Sequence, residues 1–372
     1  MTNQQIPSPC FVVEEQSLLN NLKVLDMVQK ASGAKIILAL KGFAMYKTFP
    51  LVKPFLAGAT ASSLNEAKLA SQEFGKEVHV YCPAYIPNEM DELIRMGNHI
   101  TFNSLSQWEL YKDKVKEVGI EAALRINPEY SEVTTDLYNP AVKGSRLGVR
   151  SELIGDTLPE GISGLHFHTL CENDAEVLER TLEAVEERFG HLLHQAKWVN
   201  FGGGHAITRK GYNIELLIQL IQNIKTNYNV DVILEPGSAV GWETGFLKST
   251  VLDVVDSEGV KTLMIDSSFA AHMPDCLEMP YKPRVRGENP DGEFEYNIGG
   301  MTCLAGDFIG GFKFDKEIKA GDTIIFEDMI HYTMVKTTTF NGVNLPSIGM
   351  LKTDGSFELF KSYGYEEFIS RI

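Results

Sequence analysis

Eight short apolar runs, each rich in residues that favour β-strands, alternate with longer amphipathic segments over the first two thirds of the sequence. Strands that alternate with helices in this way normally pair in parallel. Eight such units predict a (β/α)8 barrel, whose usual length is about 250 residues. The runs lie at 36–40, 58–61, 78–81, 99–102, 122–126, 164–168, 198–201 and 231–234.

A doubly wound open sheet is the alternative architecture for the same alternation. When that fold binds a dinucleotide, its first strand is followed by Gly-x-Gly-x-x-Gly, a pattern that does not follow run 36–40. We therefore predict a closed barrel over residues 11–245. Its helices are clearest at 174–193 and 214–228.

The pattern changes after Gly245, where strand-like runs are separated by turn signals such as Asn341-Gly342. We predict strands at 262–265, 323–326 and 332–339, and no long helix before the last few residues. These features indicate a second, mostly antiparallel β domain formed by residues 1–10 and 246–372.

Charge and composition narrow the range of partners. The formal net charge of −16 disfavours nucleic acid and anionic membranes and suits a cationic substrate. No apolar stretch approaches the ~20 residues of a membrane helix, and the polar N-terminus lacks the features of a signal peptide, so we expect a cytoplasmic protein. The five cysteines form no Cys-x-x-Cys pair, so we expect neither a disulfide framework nor a metal site.

Two charged residues follow the first and the last barrel run, where the active site of such a barrel forms. Lys41 follows run 36–40, and an apolar setting there favours a neutral amine that forms an imine with an aldehyde. Glu235 follows run 231–234, where its carboxylate can pair with a protonated ring nitrogen. By position alone, a surface lysine and a solvated glutamate are the alternatives.

The sixth and seventh runs also end in candidate site residues. Gly202, Gly203 and Gly204 follow the seventh run, and successive glycines let backbone N–H groups approach a phosphate. His166 and His168 alternate at the end of the sixth run, so both side chains can face the barrel interior. A flexible loop and core histidines are the alternative interpretations.

Three longer motifs resemble the fold-type III pyridoxal-phosphate decarboxylases, which act on ornithine, diaminopimelate or arginine. Within this group they are most similar to the decarboxylases of carboxynorspermidine and carboxyspermidine. The resemblance spans nearly the whole chain and implies a barrel of the alanine-racemase type, a pyridoxal 5'-phosphate cofactor and the decarboxylation of a small cationic amino acid in polyamine biosynthesis. The motifs are LHFHTLCE at 165–172, MPDCLEMPY at 273–281 and TCLAGD at 302–307.

The resemblance also implies roles for the barrel residues. Lys41 matches the lysine that holds the cofactor as an imine, and His168 matches the histidine that stacks on the cofactor ring. Glu235 matches the carboxylate on the pyridine nitrogen, while Gly203 and Gly204 match the phosphate loop.

Further roles fall in the β domain. Tyr332 matches a tyrosine near the cofactor phosphate, and Cys303 matches a cysteine that protonates the decarboxylated carbon in the active site of the partner subunit. The resemblance therefore implies a homodimer with shared sites. The candidate substrate-binding carboxylates are Glu235, Asp275 and Asp307, with Glu278 close to Asp275 in sequence.

Many ornithine decarboxylases carry an aspartate where this chain has Thr60. Two further departures from the family pattern bear on these expectations. Ser238 follows Glu-Pro-Gly where the wider family often has arginine, and Met273-Pro274 stands where diaminopimelate enzymes resemble one another in Arg-Pro. The second departure disfavours diaminopimelate as the substrate, although Arg284 and Arg286 follow closely. The remaining alternatives are a decarboxylase of diaminopimelate or a basic amino acid, an amino-acid racemase, and a non-catalytic cofactor-binding protein.

Overall fold

The computed structural model describes residues 6–372, so residues 1–5 of the predicted β domain lie outside it. The chain divides into two compact units. One, which we call the barrel unit, is Asn20–Val240; the other, the β unit, combines the described residues up to Leu19 with Gly241–Ile372. The sequence analysis placed these boundaries at residues 10/11 and 245/246.

The barrel is closed by eight parallel strands in chain order. The last strand pairs with the first through Lys35 with Ile233 and Ile36 with Leu234, which completes the circle. Each predicted run overlaps one strand, so the prediction of a barrel is confirmed. After β1 (Cys10–Glu14), which belongs to the other sheet, the barrel strands are β2 Lys35–Ala39, β3 Gly58–Ala61, β4 Glu77–Tyr81, β5 His99–Phe102, β6 Glu121–Arg125, β7 Ile162–His166, β8 Trp198–Asn200 and β9 Asp231–Leu234.

Helices connect the barrel strands, and several begin at a residue whose side chain accepts a backbone hydrogen bond. Ser63, Ser104 and Asn213 cap three of them in this way and satisfy an N–H group of the first turn. The helices up to the end of the barrel are α1 Glu15–Ser32, α2 Phe49–Val52, α3 Leu64–Leu69, α4 Met90–Met96, α5 Leu105–Val118, α6 Ser151–Ile154, α7 Ala175–Leu193, α8 Ile214–Tyr228 and α9 Ser238–Gly241.

An apolar cluster of Ile37, Ala123, Trp198 and Ile233 is formed by residues of four barrel strands. The indole of Trp198 fits there because its neighbour on β7 is Gly164. A Cβ atom at Gly164 would lie 2.2 Å from the indole ring. A glycine on β7 therefore makes room for the largest side chain of this cluster.

The β unit contains a mostly antiparallel sheet, as predicted, with β10 at its centre and β1 beside it. The strand order is β13-β12-β11-β10-β1-β15-β16, and β14 pairs with β10. The pairs β1 with β15 and β11 with β12 are parallel. The elements of this unit after α9 are β10 Gly245–Ser257, β11 Val260–Ile265, α10 Phe269–His272, α11 Asp275–Glu278, β12 Phe294–Gly299, β13 Phe308–Phe314, β14 Thr323–Glu327, β15 Ser347–Leu351, β16 Phe357–Lys361 and α12 Tyr365–Ile369.

The strand predicted at 332–339 is wrong. This segment instead contains a single 3-10 turn at Met334–Lys336. The backbone of Tyr332 has φ of 41°, outside the extended region, and the N–H of Lys336 donates to the Tyr332 carbonyl at 3.0 Å. These local bonds replace the pairing that a strand would make.

Within residues 6–372, no helix combines the length and the apolar character needed to span a membrane.

Candidate active site

A polar cavity opens at the carboxyl ends of the barrel strands. This is the end at which barrels of this kind assemble their active sites. Residues far apart in sequence meet here because parallel strands all end at the same rim of the barrel. The cavity is lined by Ala39, Lys41, Thr60, Ser62, Tyr81, Arg125, His166, His168, Gly203 and Glu235.

Lys41 lies in the turn after β2, with its Nζ 3.3 Å from Nε2 of His168. Lys41 keeps an exposed surface towards the cavity, but protein atoms surround it closely on the other sides. This loss of solvation lowers the pKa of the Lys41 ammonium, and the positive charge of Arg125 lowers it further, while the Glu235 and Glu66 carboxylates oppose both effects. A larger neutral fraction makes the amine a better nucleophile.

The His168 imidazole is oriented by the glycine loop after β8. The N–H of Gly203 lies 2.9 Å and its carbonyl oxygen 3.1 Å from Nδ1 of His168, while Nε2 is the atom that faces Lys41. Burial, followed by the charges of Lys41 and Arg125, lowers the pKa of His168 well below its usual value. The ring is therefore neutral and held by the backbone.

Glu235 follows β9 and is held as an ionised carboxylate. Asn200 donates its side-chain N–H to Oε1 at 2.7 Å, and Nε2 of His166 lies 3.4 Å from Oε2. Burial by itself would raise the pKa of Glu235, but the hydrogen bonds and charge of its neighbours, His166 first, lower it to about 2. Asn200 also accepts a bond from Gly202, so it ties the carboxylate to the glycine loop.

The three glycines pack closely against neighbouring backbone. A Cβ atom at Gly202, Gly203 or Gly204 would lie 2.5, 2.4 or 2.0 Å from a carbonyl oxygen of another segment. Gly202 and Gly204 also have positive φ angles of 70° and 84°. The N–H groups of Gly202 and Gly203 donate to Asn200 and His168, so the loop is held rigidly at the rim. Gly203 lines the cavity, and Gly204 is its neighbour in the chain.

The sequence analysis missed Arg125 and Tyr81. Arg125, the last residue of β6, is buried, donates to the carbonyl of His168 at 3.1 Å and places its guanidinium over the Tyr81 ring at 4.8 Å. Tyr81 in turn stacks on His166 with the ring centroids 5.3 Å apart. An arginine at the end of an apolar strand was the signal that could have identified this position, because a buried guanidinium is costly without polar partners.

The other predicted residues lie in the β unit. Cys303 is exposed in the loop between β12 and β13, and its N–H donates to Asn341 Oδ1 at 2.8 Å. The Asp307 carboxylate is buried and accepts hydrogen bonds from Ser268 Oγ, the Ala270 N–H, and both the N–H and the hydroxyl of Thr302. The carboxylate oxygens of Asp307 are therefore occupied by hydrogen bonds that hold the loop that carries Cys303.

Asp275 is partly buried at the start of α11, and its carboxylate accepts a hydrogen bond from the Lys336 ammonium. The same ammonium donates to Glu278 at 2.8 Å. Tyr332 lies four residues before Lys336 and accepts a backbone hydrogen bond from it. Lys41, His168, Gly203 and Glu235 therefore share one cavity, while Cys303, Asp307, Asp275 and Tyr332 belong to the β unit.

Comparison with known proteins agrees with the fold. Residues 10–330 match the family described as pyridoxal-dependent decarboxylase, C-terminal sheet domain. The chain is therefore a member of the pyridoxal-dependent decarboxylase family and a carboxy-lyase, as the sequence motifs predicted.

Relatives of known name match the chain over its full length. A carboxyaminopropylagmatine decarboxylase of Synechocystis is 51% identical over 99% of this chain and 96% of its own. A carboxynorspermidine/carboxyspermidine decarboxylase of Campylobacter jejuni is 42% identical over the whole of both chains. The crystal structure of carboxynorspermidine decarboxylase from Campylobacter jejuni, complexed with norspermidine, superposes with a TM-score of 0.92, at 41% identity over 99% of this chain and 100% of that one.

Proposed function

We propose that this protein removes the α-carboxylate from carboxynorspermidine or carboxyspermidine, using pyridoxal 5'-phosphate attached to Lys41. The observation that carries the proposal is the cavity in which the Lys41 amine lies 3.3 Å from the His168 ring, with the ionised Glu235 on the same lining. Two full-length relatives, at 42% and 37% identity, are named carboxynorspermidine/carboxyspermidine decarboxylases.

The residues of the cavity fit this cofactor. Lys41 offers an amine for its aldehyde, Glu235 a carboxylate for its ring nitrogen, and His168 a flat ring fixed by Gly203. The N–H groups of Gly202 and Gly203 are bonded within the protein, so we assign the phosphate contact of this loop to the backbone of Gly204, next to the cavity. When bound, pyridoxal phosphate supplies an aldehyde for the substrate amine and an electron sink for the bond to CO2.

Side chains of the protein control where protons are held during the proposed reaction. The lowered pKa of Lys41 favours the neutral amine that can attach the cofactor and later release the product. The Glu235 carboxylate, kept ionised by Asn200 and His166, holds a proton on the ring nitrogen. After CO2 leaves, Cys303 donates a proton to the α-carbon.

The proton donor implies a second copy of the chain. In the family that the motifs resemble, this cysteine acts in the partner's site. The loop of Cys303 carries Met301 and Leu304, and Phe308 begins the next strand; each of these three side chains is 48% exposed. Apolar side chains exposed beside a reactive thiol are suited to burial against another surface, and we infer a homodimer.

The substrate tail is cationic, and Asp275 with Glu278 provides negative charge for it. Asp307 instead supports the cysteine loop through its four hydrogen bonds. We also infer that the reaction takes place in the cytoplasm. Within residues 6–372 no two of the five cysteines form a disulfide, as is usual in a reducing compartment.

Carboxyaminopropylagmatine is the second candidate substrate. The relative of that name has the higher identity, 51% against 42%. Both kinds of substrate are carboxylated polyamines, and they differ in ending with a guanidinium or an ammonium group. One tail group therefore distinguishes the two candidates.

The test is CO2 release by the purified holoenzyme from carboxynorspermidine, carboxyspermidine, carboxyaminopropylagmatine, diaminopimelate and ornithine, each offered separately. We expect release from the carboxylated polyamines. The ratio of their kcat/KM values shows whether the enzyme prefers a tail that ends in an ammonium or in a guanidinium group. Release from diaminopimelate or ornithine alone would overturn the substrate but keep the chemistry. No release from any of the five would overturn the proposed function.

A further inference from the structure

Lys336 is the centre of a cluster of three charges in the β unit. Its ammonium donates to Asp275 and, at 2.8 Å, to Glu278. The two carboxylates are three positions apart on α11, and residues at that spacing lie on the same face of a helix. Two negative charges and one positive charge leave the cluster with a formal charge of −1. Partial burial by itself would lower the pKa of Lys336, but the two carboxylates raise it, so the ammonium stays protonated.

The cluster is open to a competing cation. The side chains of Lys336, Asp275 and Glu278 are 34%, 19% and 51% exposed. The backbone of Lys336 also belongs to the turn of Tyr332, because its N–H donates to the Tyr332 carbonyl at 3.0 Å. One lysine therefore contacts Asp275, which the proposed function assigns to the substrate tail, and Tyr332, which the sequence resemblance matches to a tyrosine near the cofactor phosphate.

The ammonium of Lys336 is the same chemical group as the cations of a polyamine tail. It therefore competes directly with the tail for the two carboxylates. Without the lysine, a pair with a charge of −2 would attract a polycation more strongly, and would also retain the polyamine product longer.

We propose that Lys336 is a specificity-determining residue that sets the charge of the subsite for the substrate's cationic tail. This inference rests on the proposed function, which places Asp275 beside the tail. By sharing its ammonium between the two carboxylates, Lys336 leaves one net negative charge to receive one positive group of the tail.

The experiment compares the wild-type holoenzyme with Lys336→Met and Lys336→Arg at low ionic strength. Turnover of carboxynorspermidine is measured together with inhibition by norspermidine. For Lys336→Met we expect KM and the inhibition constant to fall by about threefold to tenfold, the effect of one unit charge at about 5–8 Å in a largely aqueous setting. Lys336→Arg keeps the charge and should resemble the wild type. High salt should reduce the difference.

Lys352→Met is the matched control. Lys352 pairs with Glu358 at 2.7 Å in the same unit, so this variant removes the same charge and one ion pair elsewhere. An unchanged or raised KM in Lys336→Met, or an equal fall in Lys352→Met, would overturn the inference. A loss of kcat accompanied by a lower Tm in Lys336→Met would show that Lys336 has a structural role, and this result would also overturn the inference.

Calorimetric titration of norspermidine into the wild type and Lys336→Met keeps the two proposals apart, because it requires no turnover. Tighter binding by the variant supports the role of Lys336 even if the wild type decarboxylates none of the substrates offered. Equal or weaker binding opposes that role, whatever the turnover assay shows.

Discussion

The barrel unit and the β unit place their candidate functional groups by different means. In the barrel, parallel strands bring Lys41, His168 and Glu235 to one rim, although almost 200 residues separate the first from the last. In the β unit, Cys303 and Asp275 are positioned by side-chain partners, Asn341 and Lys336. Topology therefore determines the first set, and individual polar contacts determine the second.

The electrostatic consequences also differ between the two units. Burial governs the charge state of the barrel groups: it is the first cause of the lowered pKa values of Lys41 and His168. In the β unit, the Asp275 carboxylate already has an ammonium partner, and the Asp307 carboxylate has four donors. These charge states suit the barrel groups to the proton transfer and covalent chemistry that we propose, and they suit the β-unit carboxylates to the proposed roles in binding and support.

The largest expected effect is that of Lys41→Ala. Without the amine, the cofactor has no covalent attachment to the barrel, so its imine absorbance should disappear and kcat should fall by about 10³-fold or more. Absorbance spectroscopy and CO2 release measure the two effects. Lys53→Ala, at an exposed position of the same unit, is the control. Turnover retained by Lys41→Ala would rule out the role assigned to this lysine.

Cys303→Ala should affect a later step than Lys41→Ala. The cofactor should stay bound with its absorbance intact, while kcat falls by about 10²-fold because the α-carbon lacks its proton donor. Product analysis should show protonation at a wrong position or a wrong product. A normal rate and product for Cys303→Ala would contradict its role as the donor.

Glycine substitutions compare the packing of the two units. Gly164→Ala places a methyl group 2.2 Å from the Trp198 ring, so we expect a loss of about 1–3 kcal/mol in the free energy of unfolding. Gly306→Ala, in an exposed turn of the β unit, meets no atom within 4 Å and should change stability by less than about 0.5 kcal/mol. Denaturant titration measures both. Equal losses would show that the fit of Trp198 does not depend on this glycine.

The pH dependence of barrel stability gives a further prediction. Burial, followed by the neighbouring His79, lowers the pKa of His99 to about 3. As the pH falls, the unfolded chain binds a proton at His99 before the folded chain does. The contribution of the neutral His99 to the free energy of unfolding is therefore complete above about pH 6.5. It is lost as the pH falls from there towards 3, by at most about 1.4 kcal/mol per pH unit.

Replacement of His99 by Asn should flatten this acid limb in urea titrations between pH 4 and 7. His191→Asn, at an exposed position of α7, is the control and should leave the limb unchanged. An unaltered slope in His99→Asn would assign the acid sensitivity to other groups.

Much of the barrel could be predicted from the sequence because its signals are local. A run of four or five apolar residues forms a strand in the interior, and the residue that follows it must lie at the rim. This reasoning identifies Lys41 and Glu235 as candidate site residues from the sequence alone. The strand predicted at 332–339 failed because a positive φ at Tyr332 and a backbone bond from Lys336 are not visible in a run of residue types.

The sequence by itself determined the closed barrel, the mostly antiparallel second sheet and the lysine at the carboxyl end of the first barrel strand. Periodicity and chain order carry that information. Only the tertiary structure placed Arg125 over Tyr81, gave Asp307 its four donors and paired Asp275 with Lys336, 61 residues away. These contacts depend on where separate segments of the folded chain meet, and no local pattern specifies the partner of a charged side chain.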